Sequence, residues 1–481
     1  MIVKSSDMQT IVCEVAVAGR SLPDGAGKDG LEGDPRWETP ADPAWEATMR
    51  SAAVNPAGWA AMPEPDRTGP EVTVPGELSG TARAAGGITL GVEEEFMLLD
   101  PAAGAAALAG PDMAQMLGGK PEVHQELMRF QVETATRVCT SLDDLGRELA
   151  RLRRLVADAA ASLGCRLVAS GIAPYRAPGL AAVTDQPRYR ELARRYGPLV
   201  TQAGSTCGCH VHVGVPSRDL GVQVLARLRP WLASLLAITV NSPIAGGRDT
   251  AWASRRYLAW SRWPTAAPPA VWPDAAAYDA TVRGLIARGA AVDEQGIYFL
   301  ARLSPRYPTV EVRVADACLD VGTAVLLAGL TRALVATALA EARRGTPVPA
   351  VPTLWVNAAL AAAARWGLAG PGVDPFTGQP ADARSLRSRL LDHVYPALSD
   401  RGDAQTITGL LHRLDQRGTG ADRQRVLFAS AGSAPSFVET LARATLSGDE
   451  PARGGQPNAK SERPPAWTPG PVPVVPLPRT S

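Results

Sequence analysis

The chain has 481 residues, 46% of them hydrophobic, which allows a large core and either one large domain or two to three ordinary ones. Its 49 Lys+Arg balance 48 Asp+Glu, for a formal net charge of +1, so no global field draws it to nucleic acid or to an anionic membrane. Six scattered cysteines (13, 139, 165, 207, 209 and 318) do not make a disulfide framework at this length and fit a reducing cytoplasm.

Residues 1–86 open with a stretch that predicts a short strand at 11–18, where Glu14 interrupts the apolar run and argues against a secretory signal. Pro, Gly and acidic residues then dominate, and the segment reads as a poorly structured N-terminal extension. The segment "DGAGKDG" (24–30) lacks the spacing and the following helix of a phosphate-binding loop.

Compact patterning begins near residue 87. "TLGVEEEFMLLDP" (89–101) has the composition of a buried strand, yet it carries three glutamates. Side chains alternate along a strand, so Glu93 and Glu95 share a face with Met97 and Leu99, while Glu94 falls beside Val92 and Phe96. Two neighbouring carboxylates on one buried face need something positive between them: a cation, an arginine or water. "RFQVETATRV" (129–138) places Gln131 and Glu133 on one face and Phe130, Val132 and Val138 on the other. Ser141 is placed to cap a helix over 141–163, with Leu142, Leu145, Leu149, Leu152 and Leu155 at helical spacing. "CGCHVHVGVP" (207–216) puts His210 and His212, two of only five histidines, opposite Cys209, Val211 and Val213. A helix is expected at 221–240.

Residues 251–273 interleave Arg255, Arg256 and Arg262 with Trp252, Trp260, Trp263 and Trp272. They form either a packed aromatic loop or a clamp for a carboxylate or phosphate. "TVEVRVAD" (309–316) sets Glu311 and Arg313 against Val310, Val312 and Val314. Further helices are expected at 323–343, 354–366 and 383–395. The apolar run at 323–340 contains Arg332 and falls short of a clean span of ~20 residues, so it reads as a buried helix. From 446 the chain is a Pro-rich tail, read as disordered. The organisation expected is therefore an extension (1–86), one catalytic domain (87–445) and a tail (446–481).

If the four strands join one sheet, their polar faces converge as Glu93, Glu95, Gln131, Glu133, His210, His212, Glu311 and Arg313. Carboxylates with imidazole suit Mg²⁺ or Mn²⁺, and carboxylate-held Mg²⁺ keeps positions open for the phosphates of a nucleotide. Zinc is the competing metal. However, Cys209 points away from both histidines, and neither a second cysteine pair nor an HExxH motif is present.

The motifs "TLGVEEEFMLLDP", "QVETATRVC", "ASGIAP", "CGCHVHVGVP", "SRWPTAAPP" and "TVEVRVADAC" resemble, in order, the signatures of carboxylate–amine ligases of the glutamate–cysteine ligase type 2 family, from about 88 to 435. The resemblance implies an α+β, glutamine synthetase-like catalytic domain. Its curved, mainly antiparallel sheet would bind ATP, Mg²⁺ (or Mn²⁺) and the acid substrate, with helices on the convex side. It implies Glu93, Glu95, Glu133, His210 and Glu311 as metal ligands, with Arg313 facing the phosphates and acting with Glu311 in catalysis. Arg256, Arg262, His212 and Gln131 are the implied substrate or nucleotide contacts, and Glu94 is incidental. The implied reaction joins the γ-carboxylate of L-glutamate to an amine, cysteine by resemblance, in the cytoplasm and with small molecules as its only partners. The oligomeric state stays open, a homo-oligomer included. One departure stands out: Ala361 and Ala362 replace an expected Trp-Arg pair before "AARWGL" (363–368). Two other readings remain, a guanidino-type phosphotransferase and a nucleotide- or metabolite-binding protein with impaired catalysis. The acid-rich face argues against the first.

Overall fold

Val92, Phe96 and Leu98 give residues 90–99 a face that only a core can cover. In the computed structural model, which describes residues 88–447, they lie in the ten-residue strand β1 (Leu90–Leu99). The expected strand at 11–18, the rest of the extension and the tail beyond 447 lie outside the described residues. The other strands are β2 (Val123–Gln125), β3 (Gln131–Ala135), β4 (Arg166–Val168) and β5 (Gly208–Gly214), then the hairpin β6 (Ile244–Ala245) and β7 (Arg248–Asp249). After these come β8 (Ala301–Leu303), β9 (Thr309–Asp316) and the small pair β10 (Pro371–Val373) and β11 (Pro380–Asp382).

The main sheet runs β2-β3-β1-β5-β9-β8, with every pair antiparallel. One edge of β1 carries β3. The other is shared end to end by β5, against Leu90–Glu94, and β4, against Met97–Leu99. The helices Leu142–Ser162 and Val321–Arg343 pack behind the sheet. There Val92, Val211, Val213, Val310 and Val312 join one core with Leu145, Leu149 and Leu327.

The helix Leu142–Ser162 starts where the sequence predicts, with the Ser141 hydroxyl accepting from the Asp144 N–H at 3.2 Å. Its buried stripe continues through Val156, which follows Leu142 and Leu149 at two-turn spacing, whereas Leu155 is turned about 100° away from it. The expected helix at 221–240 is two helices, Arg218–Leu228 and Leu232–Thr239, since Pro230 has no N–H to continue the first. The helix expected at 383–395 runs from Ala383 to Asp400 and tolerates Pro396. Strand β3 stops at Ala135, where the Thr136 hydroxyl takes over the Val92 N–H at 3.0 Å, and Val138 is exposed rather than apolar-faced. The apolar helix Val321–Arg343 is long enough to cross a membrane but is mostly buried in the core. Its Arg332 donates to Asp403 at 2.6 Å and to the Thr140 carbonyl at 2.8 Å.

Candidate metal and nucleotide site

The strand registers decide what meets on the front of the sheet. Directly opposed residues share a face. Glu93 sits opposite His210, Glu95 opposite Glu133, and His212 opposite Glu311. Three overlapping groups result, each with its ligand atoms within 4.8 Å of one another: Glu93–His212–Glu311, Glu93–Glu133–His210 and Glu95–Glu126–Glu133. Glu93 and Glu133 belong to two groups each, so the three form one continuous row across four strands.

Distances within the row are too long for a closed network of hydrogen bonds. His210 Nδ1 is 3.6 Å from Glu93 and its Nε2 is 3.8 Å from Glu95; His212 Nε2 is 3.3 Å from Glu93 and 4.0 Å from Glu311. Both ring nitrogens of His210 and Nε2 of His212 are buried without a hydrogen-bond partner. Orphaned buried nitrogens among converging carboxylates fit a missing cation, and a donor set of oxygens with imidazole fits Mg²⁺ or Mn²⁺.

The electrostatics agree. Burial, followed by repulsion from Glu126, pushes the Glu95 carboxyl up to about 8. Burial and the charges of Glu93, Glu126 and Glu95 raise Glu133 well above the usual range, and Glu126 is raised as well. Burial also opposes the ionised form of Glu93, but the neighbouring imidazoles of His210 and His212 outweigh it and hold Glu93 low. Glu311 is likewise held low despite its burial, by Arg302 and Arg313. Burial and the Arg313 charge depress the His210 imidazole to about 3, which leaves it neutral and able to ligate. The charges of Glu95, Glu126 and Glu133 thus oppose one another's ionisation.

Two arginines meet Glu311 in different ways. Arg302 is bidentate on it at 2.8 and 3.3 Å and spends its remaining donor on the carbonyls of Glu294, Gln295 and Ile297. Arg313 pairs with Glu311, lies 5.6 Å over the Trp260 ring, and keeps a buried Nε without a partner. Arg302 is a strut; Arg313 has a donor to spare. Arg256 is 1% exposed, stacks on Trp260 at 5.0 Å and also keeps Nε unpartnered. Its guanidinium lies over Gly208, where an added Cβ would meet Arg256 Nη2 at 2.3 Å and His210 Nε2 at 2.9 Å. The Gly208 N–H donates to Glu95 at 2.6 Å.

Not every expected residue joins the row. Arg262 is exposed just beyond the helix Arg255–Trp260. Gln131 faces the site, but its amide accepts from the Met128 N–H at 3.1 Å and donates to the Thr206 carbonyl at 2.9 Å, tying β3 to the approach to β5. Glu94 is not incidental. It is 1% exposed and forms a bidentate pair with the equally buried Arg153, which also donates to the carbonyls of Cys318 and Thr445. Sequence reasoning missed Arg153, whose partner lies 59 positions away, and Glu126, which sits in the β2–β3 loop where alternation has nothing to say.

It also missed Asp316. Cys209 opposes Ala315 and Val211 opposes Val312, so β9 has a bulge with Arg313 and Val314 both facing His210. The extra residue reverses the alternation and sets Asp316 opposite Gly208, on the front face.

Comparison with known proteins agrees with this geometry. Residues 89–444 match the family model described as glutamate–cysteine ligase family 2. A relative from Nocardia farcinica, provisionally named glutamate–cysteine ligase 2-1, is 44% identical over 370 residues, which span 76% of this chain and 96% of its own. Another from Mycolicibacterium smegmatis, provisionally named glutamate–cysteine ligase 2-3, is 42% identical over 360 residues, 74% of this chain and 98% of its own. Among solved structures, a glutamate–cysteine ligase from Francisella tularensis in complex with AMP has a TM-score of 0.56 at 15% identity, covering 76% of this chain and 90% of that one. A bifunctional glutathione synthetase from Pasteurella multocida has a TM-score of 0.52 at 14% identity, covering 75% of this chain and 52% of that one. At such identities the two structures share the fold alone.

Proposed function

The chain belongs to glutamate–cysteine ligase family 2, and on that premise we propose that it is an ATP-dependent carboxylate–amine ligase. A carboxylate is a poor electrophile, so the γ-carboxylate oxygen of L-glutamate first takes the terminal phosphoryl group of ATP and ADP leaves. The amine nitrogen, that of L-cysteine in the family's reaction, then attacks the acyl carbon. Phosphate departs, the nitrogen loses a proton, and the amide of γ-glutamylcysteine remains. No covalent protein nucleophile is needed. The protein supplies charge neutralisation and alignment.

The observation that carries this reading is the row of five carboxylates and two imidazoles on one face of the sheet, with Arg313 beside it holding a spare donor. Glu93, Glu95, Glu126, Glu133, His210 and Glu311 would hold Mg²⁺ or Mn²⁺, with His212 at the Glu311 end. When bound, the cations neutralise the triphosphate and polarise the transferring group. Arg313 and Arg256 are the donors suited to phosphate or carboxylate oxygens, and Glu311 orients Arg313. The AMP-bound neighbour supports a nucleotide on this fold. Arg262 is kept as a contact at the rim. Ala361 and Ala362 lie on the helix Thr353–Trp366, which packs against Arg255–Trp260. The five described cysteines are buried free thiols, which supports a reducing cytoplasm for the protein.

The test is ADP release by the purified full-length chain with ATP, glutamate and a panel of amines, with mass detection of the amide. Glutamate- and amine-dependent ADP release that stops on exhaustive chelation is the expected result. ADP release without an amide, or release that survives chelation, would overturn the reading.

A further inference from the structure

Asp316 is fully buried, and its carboxylate takes three donors from one loop. Oδ2 accepts from the Asn241 N–H at 2.8 Å and the Ser242 hydroxyl at 2.7 Å; Oδ1 accepts from the Ser254 hydroxyl at 2.7 Å. Both serines pass the contact on. Ser242 Oγ accepts the backbone N–H of Arg256 at 3.0 Å, and Ser254 Oγ accepts that of Tyr257 at 3.1 Å. The Ser242 carbonyl takes the N–H of Arg255 at 3.1 Å. The carboxylate is seated against Gly171, where a Cβ would come within 2.8 Å of Asp316 Cγ. The first turn carrying Arg256 is thus pinned to the end of β9, two residues past the bulge that turns Asp316 to the front.

The side chains show a complementary arrangement. Burial lowers the Arg256 guanidinium, and Asp316 is the carboxylate that most opposes that shift, yet no ion pair joins the two. Arg256 instead leans on the carbonyls of Val314 and Arg313 at 3.3 Å each and leaves Nε unpartnered. Arg153 and Arg302, by contrast, are saturated by direct carboxylate pairs and carbonyls. A counter-charge outside ion-pair distance favours the charged guanidinium without consuming its donors.

We propose that Asp316 is a positioning residue for Arg256: acting through Ser242 and Ser254, it fixes the guanidinium over Gly208 with donors free for an anionic substrate oxygen, a phosphate of ATP or a carboxylate of the amino acid. The inference rests on the reading of Arg256 as a substrate contact. Asp316 touches no reacting atom.

The experiment compares full-length wild type with Asp316→Asn, Ser242→Ala, Arg256→Ala and the Asp316→Asn/Arg256→Ala double variant. KM for ATP and KM for glutamate are measured separately, together with kcat. The rise in melting temperature given by each substrate is read on the same proteins. Expected is a rise of about 10- to 100-fold in one KM, with kcat much less affected, in Asp316→Asn and Arg256→Ala alike. Ser242→Ala should shift the same KM less, and the double variant no further than Arg256→Ala alone. Which KM moves tells phosphate from carboxylate. The inference is overturned if the Asp316 and Arg256 effects multiply, if they fall on different substrates, or if Asp316→Asn lowers only kcat or the unliganded melting temperature. The ligand-induced melting shifts decide it by the same criteria even if the wild-type chain releases no ADP, a result that would sink the ligase reading alone.

Discussion

Glu93, Glu94 and Glu95 are three identical residues in a row with two unlike physical settings. Glu93 and Glu95 face the row of carboxylates and imidazoles, and each belongs to a group that could hold a cation. Glu93→Gln or Glu95→Gln keeps the shape and removes one unit of charge, so turnover should fall about 100-fold or more, equivalent to ~3 kcal/mol of lost transition-state stabilisation. The double variant should be scarcely worse than either single one, since one lost ligand already disables the site. Glu94→Gln leaves the Arg153 guanidinium buried beside a neutral amide. Breaking such a pair costs about 3–5 kcal/mol of stability. Denaturant unfolding should therefore single out Glu94→Gln as the least stable of the three, while its folded fraction keeps turnover within about tenfold of wild type, under ~1.4 kcal/mol. Turnover falls in Glu93→Gln and Glu95→Gln without a matching loss of stability, and the reverse pattern would invert the face assignment. Alternation made the two faces legible from sequence. It could not show that Glu94 has a partner, because Arg153 sits in a leucine-rich helix where its charge reads as solvent-facing.

At the scale of the elements, the front faces of β1, β3, β5 and β9 crowd carboxyl groups whose ionised forms repel one another. The folded-state pKa values of Glu95, at about 8, and of Glu126 and Glu133 lie above the unfolded carboxylate value of roughly 4.3. Between those limits these three carboxyls hold more protons in the folded chain than in the unfolded one, so their contribution to stability falls as pH rises. In chelator, the melting temperature should decline from about pH 4.5 to about 8 through this contribution; saturating Mg²⁺ or Mn²⁺ should flatten the slope, and an unchanged slope would remove the cation row. Gly208 is a second element-scale test. A methyl at this position overlaps the Arg256 guanidinium and crowds His210. Gly208→Ala should leave a folded protein with turnover reduced about 10- to 100-fold, since small misplacements of aligned groups cost that much. Wild-type turnover in that variant would mean that Arg256 can move aside without consequence. The strands themselves were legible because period-2 patterning is local. The β9 bulge was not, since nothing in "VEVRVAD" marks which residue is extra, and for that reason Asp316 was not among the expected front-face residues. Glu126 was hidden for the same kind of reason: a loop has no period to read.

For the whole molecule, every group assigned to the site comes from residues 93–316. The C-terminal helix Ala434–Leu446 still belongs with the core, because Phe437, Val438 and Leu441 pack on Met97, Leu99 and Val168. Removal of residues 1–80 and 450–481 should therefore leave turnover and melting temperature unchanged within error; an insoluble or inactive trimmed chain would move the domain boundary outward. Removal from residue 430 onward should instead unfold the protein, as it strips the cover from the far half of the front face of β1.

The shared edge of β1 has a consequence for how such a protein can diverge. The chain leaves that edge after Val168 and re-enters it at Gly208, and between them it forms the helices Pro187–Tyr196 and Pro198–Ala203. This excursion runs along the segment that carries Glu126, with the Thr184 hydroxyl donating to the Glu126 carbonyl at 2.6 Å and the Arg129 N–H to the Ala182 carbonyl at 2.7 Å. A segment that departs from and returns to one strand edge closes a loop, and loop closure depends only weakly on length, at about 0.6 kcal/mol per doubling. The wall beside the proposed substrate site can therefore lengthen, shorten or be exchanged at small thermodynamic cost while Glu93, Glu95, Glu133, His210, His212 and Glu311 stay fixed on the strands, so that under the proposed function substrate choice could evolve apart from the chemistry.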